Sequence, residues 1–270
     1  MAAWFVLVGT VLVLVRIPFR HVEIVPEAVE FFPGIVLIPA AGILCGPAGV
    51  LGVAAGSLVT DAVFGTWGVA ALIRAVAFAI GALIAERLWH GRSRPGRGRL
   101  VRFVLIGCAA CLSVAAWQSL AGTWSGLYPF GYLVVLHLAN HLLFICLFAP
   151  LVLRFAEAYW LPSVGGWRSA MDSEVVSADS PTWSAVLLWA GGAVACLYGC
   201  LAGGWVYDAW PTSAVIGTRT GAWVTVPVTC LLLVQLVGLY RPSSPSADSA
   251  PPSDPPRRFG HLLIAPIERG

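Results

Sequence analysis

Long apolar runs broken by short clusters of charge set the pattern of this chain. Met1–Val15, Phe31–Thr60, Phe103–Leu153, Pro181–Tyr207 and Thr220–Tyr240 contain no Asp, Glu or Arg, and Ala62–Ala85 is interrupted only by Arg74. A bilayer-spanning helix takes about 20 predominantly apolar residues. These runs therefore predict membrane helices, and two of them are too long for a single crossing.

The 51-residue run Phe103–Leu153 contains Ala121-Gly-Thr-Trp-Ser-Gly-Leu-Tyr-Pro-Phe-Gly131. That stretch is rich in turn formers and interfacial aromatics, which predicts two helices on either side of it. Phe31–Thr60 carries Gly46-Pro47, and proline suits the first position of a helix that starts after a break. Two short helices, about 33–45 and 47–60, follow from that reading. Short helices of this kind need protein or a cavity over their ends. Six helices are then complete by about residue 154, and two more follow at 183–207 and 220–240. Met1–Val15 has no basic n-region and no Ala-x-Ala cleavage site, and it reads as a retained first helix.

The expected fold class is an all-α integral membrane protein: a six-helix bundle over 1–154 plus two additional C-terminal helices. A mixed cytoplasmic linker is expected at 155–182, a two-helix membrane extension at 183–240, and a disordered tail at 241–270. The tail reads Arg-Pro-Ser-Ser-Pro-Ser-Ala-Asp-Ser-Ala-Pro-Pro-Ser-Asp-Pro-Pro over 241–256, a composition that cannot bury a core.

Composition narrows the class. Only 11% of residues are charged and 59% are apolar, against roughly a quarter charged in soluble domains. All sixteen basic residues are arginine. Without lysine there is neither a Walker P-loop nor Schiff-base chemistry. The arginines also orient the chain, because cytoplasmic loops are enriched in basic residues. With eight helices and the block Arg87–Arg102 inside, twelve arginines are cytoplasmic, Arg16, Arg20 and Arg219 are outside, and Arg74 lies in the membrane. Both termini are then cytoplasmic, in a cell (inner) membrane. A single helix over 33–60 would instead place the N-terminus outside and give a 14:1 split.

An ionisable residue within a membrane helix is a functional hypothesis by default. Arg74 reads as lying near the middle of its helix, with Asp61 or a substrate anion as its partner and a structural ion pair as the plainer alternative. His137-Leu-Ala-Asn140-His141 places two imidazoles and an amide on one helical stripe. They could contact a substrate, bind metal or haem, or bond neighbouring helices, although a two-His set lacks the third ligand zinc usually takes. Gln118 lies inside a helix and needs a partner; Trp117, Trp124 and Tyr128 fit an aromatic belt. The seven cysteines all fall in expected helices and behave as small hydrophobes there. Gly42, Gly46, Gly49, Gly52 and Gly56 recur at the spacing that lets helix backbones approach closely.

Leu44-Cys-Gly46-Pro47-Ala-Gly49-Val-Leu-Gly52-Val-Ala-Ala-Gly56-Ser-Leu-Val-Thr-Asp61 and its continuation Ala62-Val-Phe-Gly65-Thr66 resemble the substrate-binding S components of energy-coupling factor (ECF) transporters. The Asp-x-x-Phe-Gly-Thr form is most similar to the branch associated with queuosine-precursor uptake. The resemblance implies a six-helix bundle with an outward-facing pocket under the loop joining helices 1 and 2. It also implies partnership with a transmembrane T component and two ATPase subunits, which would hold the missing Walker motifs. Members often carry an Ala-x-x-x-Ala pattern on helix 1, where this chain has only Ala2, Ala3 and Gly9, and the last two helices are additional to the usual fold.

The leading expectation is a non-enzymatic membrane subunit that binds a small vitamin-like or nucleobase-like solute for uptake. Its candidate site residues are Asp61, Trp67, Arg74, Gln118, His137, Asn140 and His141, a mixture that suits a planar heteroaromatic ligand. No cofactor, metal or nucleic-acid partner is expected. The rival readings are an integral-membrane enzyme or haem or metal redox protein built on His137 and His141, and a membrane sensor or scaffold.

Overall fold

The structure, a computed structural model, describes residues 2–26, 28–90, 98–125, 128–155, 182–204 and 219–239. The linker and tail expected at 155–182 and 241–270 therefore lie outside the described residues, apart from Phe155 and Thr182 at helix ends.

Eight α-helices are present among the described residues: α1 (Ala2–Arg16), α2 (Leu37–Cys45), α3 (Pro47–Val63), α4 (Val69–His90), α5 (Gly98–Trp124), α6 (Phe130–Phe155), α7 (Thr182–Gly204) and α8 (Arg219–Val237). Apolar stretches in four of the eight, Ala2–Phe19, Val69–Trp89, Leu100–Trp124 and Phe130–Val152, are long and apolar enough to cross a membrane. The outer face of α6 carries Val135, Leu143, Leu147 and Leu151, each more than half exposed. Such a stripe suits lipid, which solvates leucine as well as another helix does.

The two expected breaks are both present. Gly46, between α2 and α3, has φ 56°, a backbone region that glycine enters without steric cost, and Pro47 follows as the first residue of α3. The chain doubles back there closely enough that a side chain on Gly49 would collide with the Ala41 carbonyl. The long run after Phe103 divides between α5 and α6 at 125–129.

The fold is mostly helical, with one small addition and one expectation that needs correction. Glu23–Val25 (β1) and Val29–Glu30 (β2) form an antiparallel hairpin in the loop after α1. Its Val25 and Val29 are buried with Leu133 of α6, so the loop is anchored by a small apolar cluster of its own. Arg74 is not near the middle of its helix. With α4 starting at Val69, Arg74 lies in the second turn, near the end that faces the hairpin.

Glycine sets the helix spacing. A Cβ on Gly42 would strike the backbone of Ala82 in α4, and one on Gly56 would come 2.7 Å from the Gly9 carbonyl of α1. Gly9 in turn sits against Gly52 and Gly56, so it is taken up by packing inside the bundle. Met1–Leu239 is one compact unit. Within it α7 packs on α5 and α6, and α8 packs on α7 and α5. A buried amide fastens this contact: the Gln235 Nε2 donates to Ser113 Oγ at 2.6 Å and to the Leu188 carbonyl at 2.8 Å.

At the far ends of α4 and α5, Arg102 donates to the Leu88 and Trp89 carbonyls at 2.8 and 2.6 Å. It also lies over the Trp89 ring, 5.3 Å from its centroid. A guanidinium there satisfies carbonyls that the end of α4 leaves without helical partners and suits the negative end of its dipole. Arg87 donates to the Leu239 carbonyl at 3.3 Å, tying the same end of α4 to the residues just after α8.

Candidate functional site

Five charged side chains converge where α1, the hairpin, α3 and α4 meet. The α3 terminus supplies the first. Gly65 N–H donates to the Ala62 carbonyl at 3.2 Å and Thr66 N–H to the Asp61 carbonyl at 2.8 Å, with Gly65 at φ 68°. This pair of bonds is the Schellman end of a helix, with glycine in its left-handed position. The Phe64-Gly65-Thr66 sequence is thus the stop signal of α3. Thr66 also turns its hydroxyl toward Asp61, 3.3 Å from Oδ1, on the last turns of the helix.

Asp61 Oδ1 accepts from Arg16 Nη2 and from Arg74 Nη1, each at 2.9 Å. Glu30, at the end of the hairpin, is bridged by three arginines: Arg16 at 3.1 Å, Arg20 at 2.5 Å and Arg74 at 2.9 Å. Arg16 is sealed, at 1% exposure, and spends its remaining Nη1 on the Ser57 carbonyl at 3.3 Å. Burial on its own would raise the Glu30 carboxyl, but the charges of Arg74, Arg16 and Arg20 outweigh it and hold the pKa below the ordinary 4.5. A charge this far from water persists only with such partners.

A cavity of about 160 Å³ opens beside the cluster. Its polar wall is Glu30, Arg74, Gln118, Ser125, His137 and His141. Its apolar wall includes Phe32 and Phe78, whose rings stack 5.5 Å apart at 10°. Two polar atoms at this wall are buried and lack a partner among the described residues: Gln118 Oε1 and His141 Nδ1. The His137 and His141 ring centroids are 5.6 Å apart.

Of the expected site residues, Arg74, Gln118, His137 and His141 are brought together around this cavity. Asp61 and Asn140 stand behind it. Asp61 holds Arg16 and Arg74, while the Asn140 side-chain amide donates to the Glu30 carbonyl at 2.9 Å and so ties the hairpin to α6. Trp67 is not brought together with them: it is 61% exposed in the α3–α4 turn and is not among the residues lining the cavity.

Arg16, Arg20, Glu30, Phe32 and Phe78 are missing from the sequence-based set. Arg16 and Arg20 read as ordinary outside charges, and Phe32 and Phe78 as members of apolar runs. The signal that could have found the arginines is their i, i+4 spacing where α1 ends, ahead of an acidic loop. All seven cysteines are free thiols. Among the described residues, no third His, Cys, Asp or Glu is placed to complete a metal site with the His137–His141 pair.

No family of known proteins matches this chain, and neither a curated protein nor a solved structure is significantly similar to it.

Proposed function

We propose that this protein is a membrane subunit that binds a small vitamin-like or nucleobase-like solute for uptake, in the manner of the S component of an ECF transporter. The observation that carries the reading is the cavity itself, lined by a stacked pair of aromatic rings together with guanidinium, amide and imidazole groups. Ligand sites are mostly apolar concavities with a few convergent polar groups. This one has both, together with two buried polar atoms that lack partners among the described residues.

Its place in the bundle supports the same reading. The cavity lies at the end formed by the first turns of α4 and the last turns of α5, opposite the Arg87 and Arg102 end. With the arginine-rich end in the cytoplasm, the cavity faces outward, under the loop joining α1 and α2. A substrate subunit would present its pocket on that side. Energy would come from a transmembrane T component and two ATPase subunits, since this chain has no Walker lysine.

Mass spectrometry of small molecules released from detergent-purified protein tests the reading. A stoichiometric heterocycle, retained by the wild type and weakened by Arg74→Ala or His137→Ala, is the expected result. Unchanged retention in both variants would overturn the site. Co-purification with an ATPase pair tests the partnership. A Soret band or a stoichiometric metal would instead favour a redox protein built on His137 and His141.

A further inference from the structure

Among the described residues, the charges beside the cavity do not balance. Three guanidiniums, from Arg16, Arg20 and Arg74, meet two carboxylates, from Glu30 and Asp61. The cluster of described residues therefore carries one positive charge in excess. A net charge in a buried site is costly unless a counter-charge meets it.

The excess is available in one direction. Arg16 engages all three of its guanidinium nitrogens with Glu30, Asp61 and Ser57 and is sealed at 1% exposure. Arg20 is 9% exposed at its side chain, and neither it nor Arg16 is on the cavity wall. Arg74 is on that wall and its side chain is 20% exposed. Both of its ion pairs are made through Nη1, so Nε and Nη2 have no hydrogen-bond acceptor among the described residues. A guanidinium presents its donors in a planar fork that matches a carboxylate.

Size limits the rest of the ligand. A dry cavity of about 150 Å³ accommodates benzene, and this one is about 160 Å³. Its lining includes the Phe32 and Phe78 rings, the Gln118 amide and the His141 imidazole.

Resting on the solute-binding reading above, we infer that the ligand is an anion: a single aromatic or heteroaromatic ring bearing a carboxylate. The carboxylate pairs with the free edge of Arg74 and neutralises the excess charge. The ring lies against the phenylalanines, and a ring N–H or hydroxyl reaches Gln118 Oε1 or His141 Nδ1.

Sodium benzoate and benzamide are the probes, since they share size and ring and differ in charge. Thermal unfolding of the full-length purified chain is followed against the concentration of each, because a ligand that binds the folded state raises the midpoint. Benzoate should bind about ten- to a hundredfold more tightly than benzamide, the worth of a hydrogen bond to a charged group. Arg74→Gln should remove the preference for benzoate over benzamide. The wild-type comparison decides the matter even where that variant does not fold.

Equal or tighter binding of benzamide overturns the anion while leaving solute binding intact. So does a neutral or cationic molecule identified by mass spectrometry in the purified protein. If neither probe binds and no solute is retained, both the anion and the solute-binding reading fall.

Discussion

Glu30 makes ion pairs with three arginines, and their consequences are the most direct to measure. The three arginines come from α1, from the loop after it and from α4. Removing one partner of a buried ion pair costs about 3–5 kcal/mol, because the remaining charge is left uncompensated. Glu30→Gln should lower stability by about that amount at neutral pH, read as a lowered thermal midpoint in detergent. The pH dependence has a definite sign. The folded-state pKa is held below the ordinary 4.5, so the contribution of Glu30 is fully present above that value. It is lost as pH falls through the lower folded-state pKa. Wild-type stability should drop on acidification below about pH 4.5, taking the ordinary pKa as the upper edge, and Glu30→Gln should show a shallower acid limb. Identical limbs in the two proteins would show that Glu30 is not ionised in the cluster.

The glycines act at the scale of helices and do so in two distinct ways. Gly65 sits at φ 68° with nothing within 4 Å of where a Cβ would stand. Gly65→Ala should therefore cost only the left-handed backbone, about 1–2 kcal/mol. Gly42 has ordinary helical geometry but no space, since a Cβ would meet the Ala82 backbone. Gly42→Ala should cost about 1–3 kcal/mol or more by forcing α2 away from α4. Gly42→Val should be worse still, because the clash grows with side-chain size, while any added cost of Gly65→Val over Gly65→Ala comes from the left-handed backbone of a β-branched residue. Thermal unfolding of the four variants separates strain within a turn from a clash between helices. At the same scale, the hairpin escapes a reading based on apolar runs. Its strands are three and two residues long, too short for alternation to register, and tertiary contact with α6 is what holds them.

At the scale of the molecule, α7 and α8 belong to the same compact unit as α1–α6. The contact rests on apolar packing and on the Gln235 amide. Gln235→Leu should cost about 1 kcal/mol, the typical net worth of a buried hydrogen bond, and leave the two helices in place. Thermal unfolding measures the loss, and limited proteolysis shows whether α7 and α8 stay docked. Release of the pair by this single change would mean that the amide, and not the packing, holds them. Orientation is also a whole-molecule property. A reporter that folds only in the cytoplasm, fused at the C-terminus, should be active, and one fused within 126–127 should not. The opposite pattern would put the cavity on the cytoplasmic side and remove the case for uptake from outside.

The sequence by itself determined the membrane-helix class, the break at Gly46-Pro47, the division between α5 and α6, and the polar stripe of His137, Asn140 and His141. These are local properties: run length, turn chemistry and the 3.6-residue period are all readable within a short window. The tertiary structure alone decided which charges meet. Arg16 and Asp61 are 45 positions apart and Arg74 and Glu30 are 44 apart, and no period links them. It alone separated Trp67, in an exposed turn, from Gln118 and His141 on the cavity wall. It also turned two arginines that read as loop charges into the support of Glu30. Burial and charge pairing act through space, so they emerge only once the helices have been brought side by side.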